Sequence, residues 1–210
     1  MLRTEELSGL DQTLNIPNDI LRSRAGFEGQ QLEVTIVFAD LRDFTGWVES
    51  TPVREVVRDL GTYFTEMEQA IRGEGGIVIQ FIGDEIEAAF DAQAGRPDHA
   101  QRAVRAALGM RRRLSAWNVG RAKPLQHGIG VHTGFVLGGN IGSARRASYA
   151  LVGDAVNLAS RIQELTKEMG ADILISGSTR VRLGAEVKVD PVSLVRVRGR
   201  SKEVEVYRVL

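Results

Sequence analysis

The 210-residue chain contains no cysteine, which excludes disulfides, thiolate metal sites and a cysteine nucleophile, and fits a reducing, cytoplasmic compartment. It also lacks an excess of either charge. Lys plus Arg and Asp plus Glu both total 27, so there is no net field to hold nucleic acid or an anionic membrane. Long apolar runs are missing as well: Val34 to Ala39 is among the longest, far short of the roughly 20 residues that span a bilayer. The first thirty residues carry no signal-peptide core. The chain therefore reads as soluble, with any membrane or sensor tether lying in segments outside it. What is present is a 43% apolar content, enough to bury one full core.

Residues 1–30 mix charges with Gly9, Pro17, Gly26 and Gly29 and show no sustained periodicity, so they read as a leader or linker with a short helix near Asp19 to Ser23. A single domain is expected over 31–210. Val34-Thr35-Ile36-Val37-Phe38-Ala39 is apolar and β-branched, a buried strand that ends at Asp40. Pro52 opens a helix whose Val53, Val56, Val57, Leu60, Phe64, Met67 and Ile71 recur at helical spacing. Ile77 to Ile82 and Glu85 to Phe90 flank Gly83-Asp84, a strong hairpin signal that puts Asp84 at the tip.

Pro97 and Asp98 start a second helix, with Ala100, Ala103, Val104, Ala107, Leu108 and Leu114 inward and Arg102, Arg105, Arg112 and Arg113 on a solvated face. Gln126 to Phe135 and Val136 to Ile141 read as a glycine-punctuated strand pair, and Tyr149 to Val152 as a short strand. Leu158, Ile162, Leu165 and Met169 mark a third helix. Strands at Ile173 to Ile175, Val192 to Val197 and Val204 to Val209 follow, with turns at Gly177, Gly184, Pro191 and Gly199. Strand, helix, strand, strand, helix, strand from 33 to 135 is a ferredoxin-like βαββαβ core, an α+β fold with additional C-terminal strands and helices.

In that topology Asp40 and Asp84 come together. Two close carboxylates repel unless a cation lies between them, and one or two carboxylates plus substrate phosphates are a recurring Mg²⁺ set in phosphoryl transfer. Taken singly, each is also an ordinary turn residue. Asn157 and Arg161, spaced i and i+4, share a helical face flanking the apolar stripe. There an Arg fork suits a phosphate and an Asn suits a ribose, although Arg161 could equally pair with Glu164 or Glu168.

Phe38-Ala39-Asp40-Leu41-Arg42-Asp43-Phe44-Thr45, Phe81-Ile82-Gly83-Asp84 and Val156-Asn157-Leu158-Ala159-Ser160-Arg161 resemble, in order and spacing, three signature segments of bacterial-type class III adenylate and guanylate cyclases. The resemblance runs from about residue 32 to the C-terminus. It implies an enzyme that converts a nucleoside triphosphate into a 3′,5′-cyclic nucleotide and pyrophosphate at two shared sites of a homodimer. Two Mg²⁺ or Mn²⁺ ions per site would be held by Asp40 and Asp84 with the Leu41 carbonyl. Asn157 would position the ribose and Arg161 would stabilise charge at the α-phosphate. The Phe44 and Thr45 amides, at a helix start, would receive phosphate oxygens. Arg198 stands where the family usually has a phosphate-contacting Lys.

At the base the sequence departs from the pattern. Gln80 replaces the usual Lys of adenylate or Glu of guanylate cyclases, and Ala150 replaces the usual Asp or Thr, or Cys. A Gln amide can serve either purine. ATP is favoured on abundance and commonness, with GTP and then a pyrimidine triphosphate as alternatives. Glu87 reads as part of a solvated strand face. Two rivals remain: a diguanylate cyclase of the GGDEF type, opposed by the Asn157/Arg161 segment, and a degenerate nucleotide-binding or dimerisation domain without turnover. A zinc site at His127 and His132 is discounted, because residues five apart on a strand face opposite ways.

Overall fold

The computed structural model describes residues 30–91, 97–143, 146–195 and 203–210. The expected leader and its short helix, Gly199, and the candidate residue Arg198 lie outside them. In chain order the elements are β1 (Gln30–Leu41), α1 (Phe44–Glu49), α2 (Val53–Gly73), β2 (Ile77–Ile82), β3 (Glu85–Asp91), α3 (His99–Trp117), β4 (His127–Ser143), β5 (Arg146–Val152), α4 (Asp154–Glu168), β6 (Ile173–Ser176), α5 (Gly177–Arg180), β7 (Val189–Val195) and β8 (Val204–Val209). The strands among the described residues form one sheet in the order β2-β3-β1-β4-β6-β8-β7, with β5 paired to β4. The β4–β6 pair is parallel and the other pairs are antiparallel. Its first four strands follow the ferredoxin-like order. No helix among the described residues is long and apolar enough to cross a membrane.

β1 is covered on both faces, which is why it reads as an unbroken apolar run. Val37, Ala39 and Leu41 join Tyr63, Met67, Ile71, Val104 and Met110 of α2 and α3 in one core cluster. Leu32, Val34, Ile36 and Phe38 point the other way and pack with Ala155 and Ala159 of α4. The alternation of strand side chains therefore assigns the even residues of β1 to the α4 side.

Several sequence-based expectations change here. Residues 126–141 are not a strand pair: His127–Ser143 is one continuous strand, paired with β1 from His127 to Gly138 and with β5 from Leu137 to Ser143. Its glycines mark close approach, not a turn. A Cβ on Gly130 would lie 2.3 Å from the Gln163 backbone nitrogen, and one on Gly128 would lie 2.0 Å from the Thr166 hydroxyl.

The stripe of α2 is rotated from the expected one. Val53 and Val57 are exposed, whereas Asp59 and Tyr63 are buried, because the Arg121 and Arg58 guanidinium groups neutralise Asp59. Arg102 is not on a solvated face. It is buried and donates to the carbonyls of Asp91 (2.8 Å), Glu74 and Gly75 (both 3.3 Å) and to Asp98. Pro191 sits inside β7, beside a register shift on the sheet edge, where a missing N–H is tolerated. Gly177 opens the short helix α5, whose N-cap Ser176 accepts from the Thr179 amide.

Candidate active site

Asp40 is the penultimate residue of β1 and pairs with Gly128. On the opposite flank Ala39 pairs with Ile86, so the β2–β3 turn projects past the same end of the sheet. There Gly83, at φ 64°, makes the left-handed turn that a side chain would resist, and Asp84 follows it. The Asp40 and Asp84 carboxyl groups lie close enough to interact. Burial, then the Asp84 hydrogen bond and charge, raise Asp40 to about 7. Burial, with Glu87, Asp84 and Glu164 adding repulsion, raises Glu85 to about 7. Tyr63 lies fully buried below the pair, its hydroxyl pushed upward by burial and by both aspartates.

The pair can be satisfied by a shared proton or by a cation. Among the described residues no cluster of three or more His, Cys, Asp or Glu side chains could hold a metal by itself. Two adjacent carboxylates suit an ion that completes its shell with water and substrate phosphates. Phe44 and Thr45 open α1 directly after Asp43, so their amides belong to the first turn, where intrahelical partners are lacking.

Asn157 and Arg161 lie on α4, whose N-cap is Gly153. Gly134 meets Ala155, Gly130 meets Ala159 and Gln163, and Gly128 meets Gln163 and Thr166, so α4 runs antiparallel to β4. Asn157 falls between the first two contacts. That is about four strand residues, or about 13 Å, from the level of Asp40. Both side chains are also about 160° round the helix from Ala159, the residue in contact with the sheet. Asn157 is exposed and Arg161 is half-buried beside Leu158 and Leu165, both on the side of α4 turned from β4. One chain therefore does not aim its own Asn157 and Arg161 at its own aspartates.

Gln80 on β2 and Ala150 on β5 sit on different parts of the sheet, Ala150 opposite Gly139. Gln80 pairs across the hairpin with Glu87, and its amide nitrogen donates to Glu87 Oε2 at 2.6 Å. Glu87 is not on a solvated face. It is 3% exposed, and burial raises its pKa against the lowering effect of Gln80. The pairing was available in the sequence: a Gly83-Asp84 turn pairs Ile82 with Glu85 and hence Gln80 with Glu87. His127 and His132 lie on opposite faces, the first 3.4 Å from the Tyr63 hydroxyl and the second 2.8 Å from Ser176 Oγ.

The family of adenylate and guanylate cyclase catalytic domains matches residues 28–210. Adenylate cyclase 1 of Rhizobium meliloti (strain 1021) is 33% identical over 207 residues, which is 94% of this chain and 31% of that protein. The adenylyl cyclase CyaB from P. aeruginosa superposes with a TM-score of 0.78 at 29% identity, over 87% of this chain and 96% of that one. The guanylyl cyclase Cya2 superposes with a TM-score of 0.77 at 35% identity, over 87% and 93%. The chain belongs to the adenylate and guanylate cyclase catalytic domain family, the class III cyclases. It spans between 8% and 36% of the length of three curated adenylate cyclases that it matches.

Proposed function

We propose that this domain is a homodimeric nucleotidyl cyclase that converts ATP into 3′,5′-cyclic AMP and pyrophosphate. The observation that carries the reading is the interacting Asp40–Asp84 carboxyl pair, which no cation among the described residues offsets at Asp40, combined with an Asn157/Arg161 pair on the side of α4 away from β4. Each half lacks what the other offers, and a second copy related by a two-fold axis supplies it twice. The apolar side chains left open support such a partner: Phe135, Leu137 and Ile141 on one face of β4, Val152 opposite Leu137, and Phe81 and Ile82 on the hairpin.

In this mechanism Asp40, Asp84 and the Leu41 carbonyl would hold two Mg²⁺ or Mn²⁺ ions. When bound, these ions activate the attacking hydroxyl and offset charge on the phosphates. Asn157 of the facing protomer orients the ribose so that its 3′-oxygen lies in line with the α-phosphorus. The new bond joins the 3′-oxygen to that phosphorus, the bond to the pyrophosphate oxygen breaks, and the 3′-hydroxyl proton is released. Arg161 stabilises the charge that gathers on the α-phosphate oxygens, while the Phe44 and Thr45 amides and Arg198 hold the departing phosphates. Gln80 and Ala150 face the base. GTP is the second reading, favoured by the 35% identity to a guanylyl cyclase.

The test is subunit complementation. Asp84→Ala and Arg161→Ala proteins, each inactive alone, regain part of the wild-type rate when mixed and allowed to exchange, because the heterodimer contains one intact site. No recovery in demonstrably exchanged heterodimers contradicts the shared site.

A further inference from the structure

Glu87 is a buried carboxylate for which neither the core nor the aspartate pair has a use. Through β1 it pairs with Phe38, which places Glu87, and Gln80 opposite it, on the α4 side of the sheet with Asp40. The β2–β3 register shifts between Val78 and Gln80, leaving Ile79 as an extra residue. Such a bulge re-aims the side chain that follows it. Gln80 itself is exposed at its outer end, while its amide nitrogen donates to Glu87 Oε2 at 2.6 Å. Against the ionised carboxylate, the form that the Gln80 donor favours, only the nitrogen end of an amide fits; the carbonyl end would be repelled. The other oxygen, Glu87 Oε1, is buried with no hydrogen-bond partner among the described residues.

A free carboxamide turns over and pairs with either purine. One sense accepts from the adenine exocyclic amine and donates to N1; the reverse donates to guanine O6 and accepts from N1–H. A carboxamide held in one sense matches one purine and is mismatched at both bonds with the other. We propose that Glu87 is a specificity-determining positioning residue that fixes the orientation of the Gln80 amide and so makes it discriminate between adenine and guanine nucleotides. This rests on the reading of Gln80 as the residue that meets the base.

A purely structural role has the opposite signature. A buried carboxylate with an unpaired oxygen is costly, and the neighbours Phe38 and Ala89 are apolar, so Glu87→Met leaves the fold at least as stable as the wild type. The experiment measures kcat/KM for ATP and for GTP, together with the affinities of 3′-deoxy-ATP and 3′-deoxy-GTP, which cannot cyclise. The proteins are the wild type, Glu87→Met, Glu87→Gln, Gln80→Ala and the Gln80→Ala/Glu87→Met double variant. Wild type prefers one purine by about tenfold or more, Glu87→Met brings the ratio within about threefold, and Glu87→Gln, which retains an acceptor, keeps an intermediate ratio. The double variant matches Gln80→Ala, since Glu87 acts only through that side chain.

A wild-type ratio near one overturns the proposal. So does an unchanged ratio in Glu87→Met or, should that variant not fold, in Glu87→Gln. If wild type yields no cyclic product yet binds the 3′-deoxy nucleotides selectively, turnover is refuted and the affinity ratios decide the role of Glu87. If it neither turns over nor binds selectively, both readings fall.

Discussion

Replacing Gly130 by alanine tests how α4 is seated. The added Cβ would lie 2.3 Å from the Gln163 nitrogen and 2.7 Å from both the Ala159 oxygen and the Gln163 Cα. All three are backbone atoms, so no side chain can swing aside. Reaching ordinary contact near 3.4 Å requires α4 to move by about 1 Å from β4. Gly130 pairs with Phe38 on the central strand, which leaves little freedom on the other side. Overpacking of this kind costs about 1–3 kcal/mol and occasionally more, and a rigid backbone clash belongs at the upper end, at about 3 kcal/mol. Because Asn157 and Arg161 ride on the same helix, turnover falls along with stability. Gly61→Ala is the control: nothing lies within 4 Å of its Cβ and it is exposed within α2, so alanine stabilises by about 0.5–1 kcal/mol. Urea unfolding of both variants at equal dimer concentration reads the two signs. A Gly130→Ala cost below about 0.5 kcal/mol would refute the packing argument.

Arg102→Met keeps bulk but strips donors from the Asp91, Glu74 and Gly75 carbonyls, and should cost about 3 kcal/mol in urea unfolding. Asp40 and Glu85 stand at about 7 in the fold against ordinary values of 3.8 and 4.5. Without metal the folded state thus binds more protons than the unfolded one, and the stability these groups contribute is lost as pH rises from about 4 through about 7. Mg²⁺ or Mn²⁺ at pH 8 restores the thermal midpoint, and Asp40→Asn flattens the metal-free slope. His127 moves the opposite way. Burial, then the Arg42 and Arg111 charges, lower it from 6.5 to about 3, so below pH 6.5 the unfolded chain takes up a proton that the fold refuses. This contribution falls on acidification and opposes the gain from the two carboxyl groups, so in the metal-free protein His127→Phe steepens the rise in stability between pH 6.5 and 5, as followed by denaturant midpoints.

The hairpin at Gly83-Asp84, the buried strand into Asp40 and the helix of Asn157 and Arg161 were legible because local chemistry and tertiary context agree there. Where they diverged, the sequence misled. Glycines in β4 look like turn signals, but whether a glycine turns the chain or admits a helix depends on α4, whose contacting residues lie far along the chain, from Gly134–Ala155 to Gly128–Thr166. Arg102 looks solvated because helical spacing does not reveal the open carbonyls of Glu74, Gly75 and Asp91 beside it. Glu87 was the opposite case: hairpin register alone pairs it with Gln80, but its burial depends on β1, where Phe38 lies beside it. The carboxyl pair was readable as a hypothesis, whereas the outward aim of Asn157 and Arg161 required the packed helix.

The most direct test of the central claim is incubation of the purified domain with ATP, GTP, CTP and UTP separately, in Mg²⁺ and in Mn²⁺, with mass spectrometric detection of products. The account predicts cyclic AMP and pyrophosphate in equal amounts, abolished by Asp40→Asn and by Arg161→Ala. Cyclic GMP in its place would keep the chemistry and reverse the base, while no cyclic product from a verified, metal-loaded dimer would contradict the account.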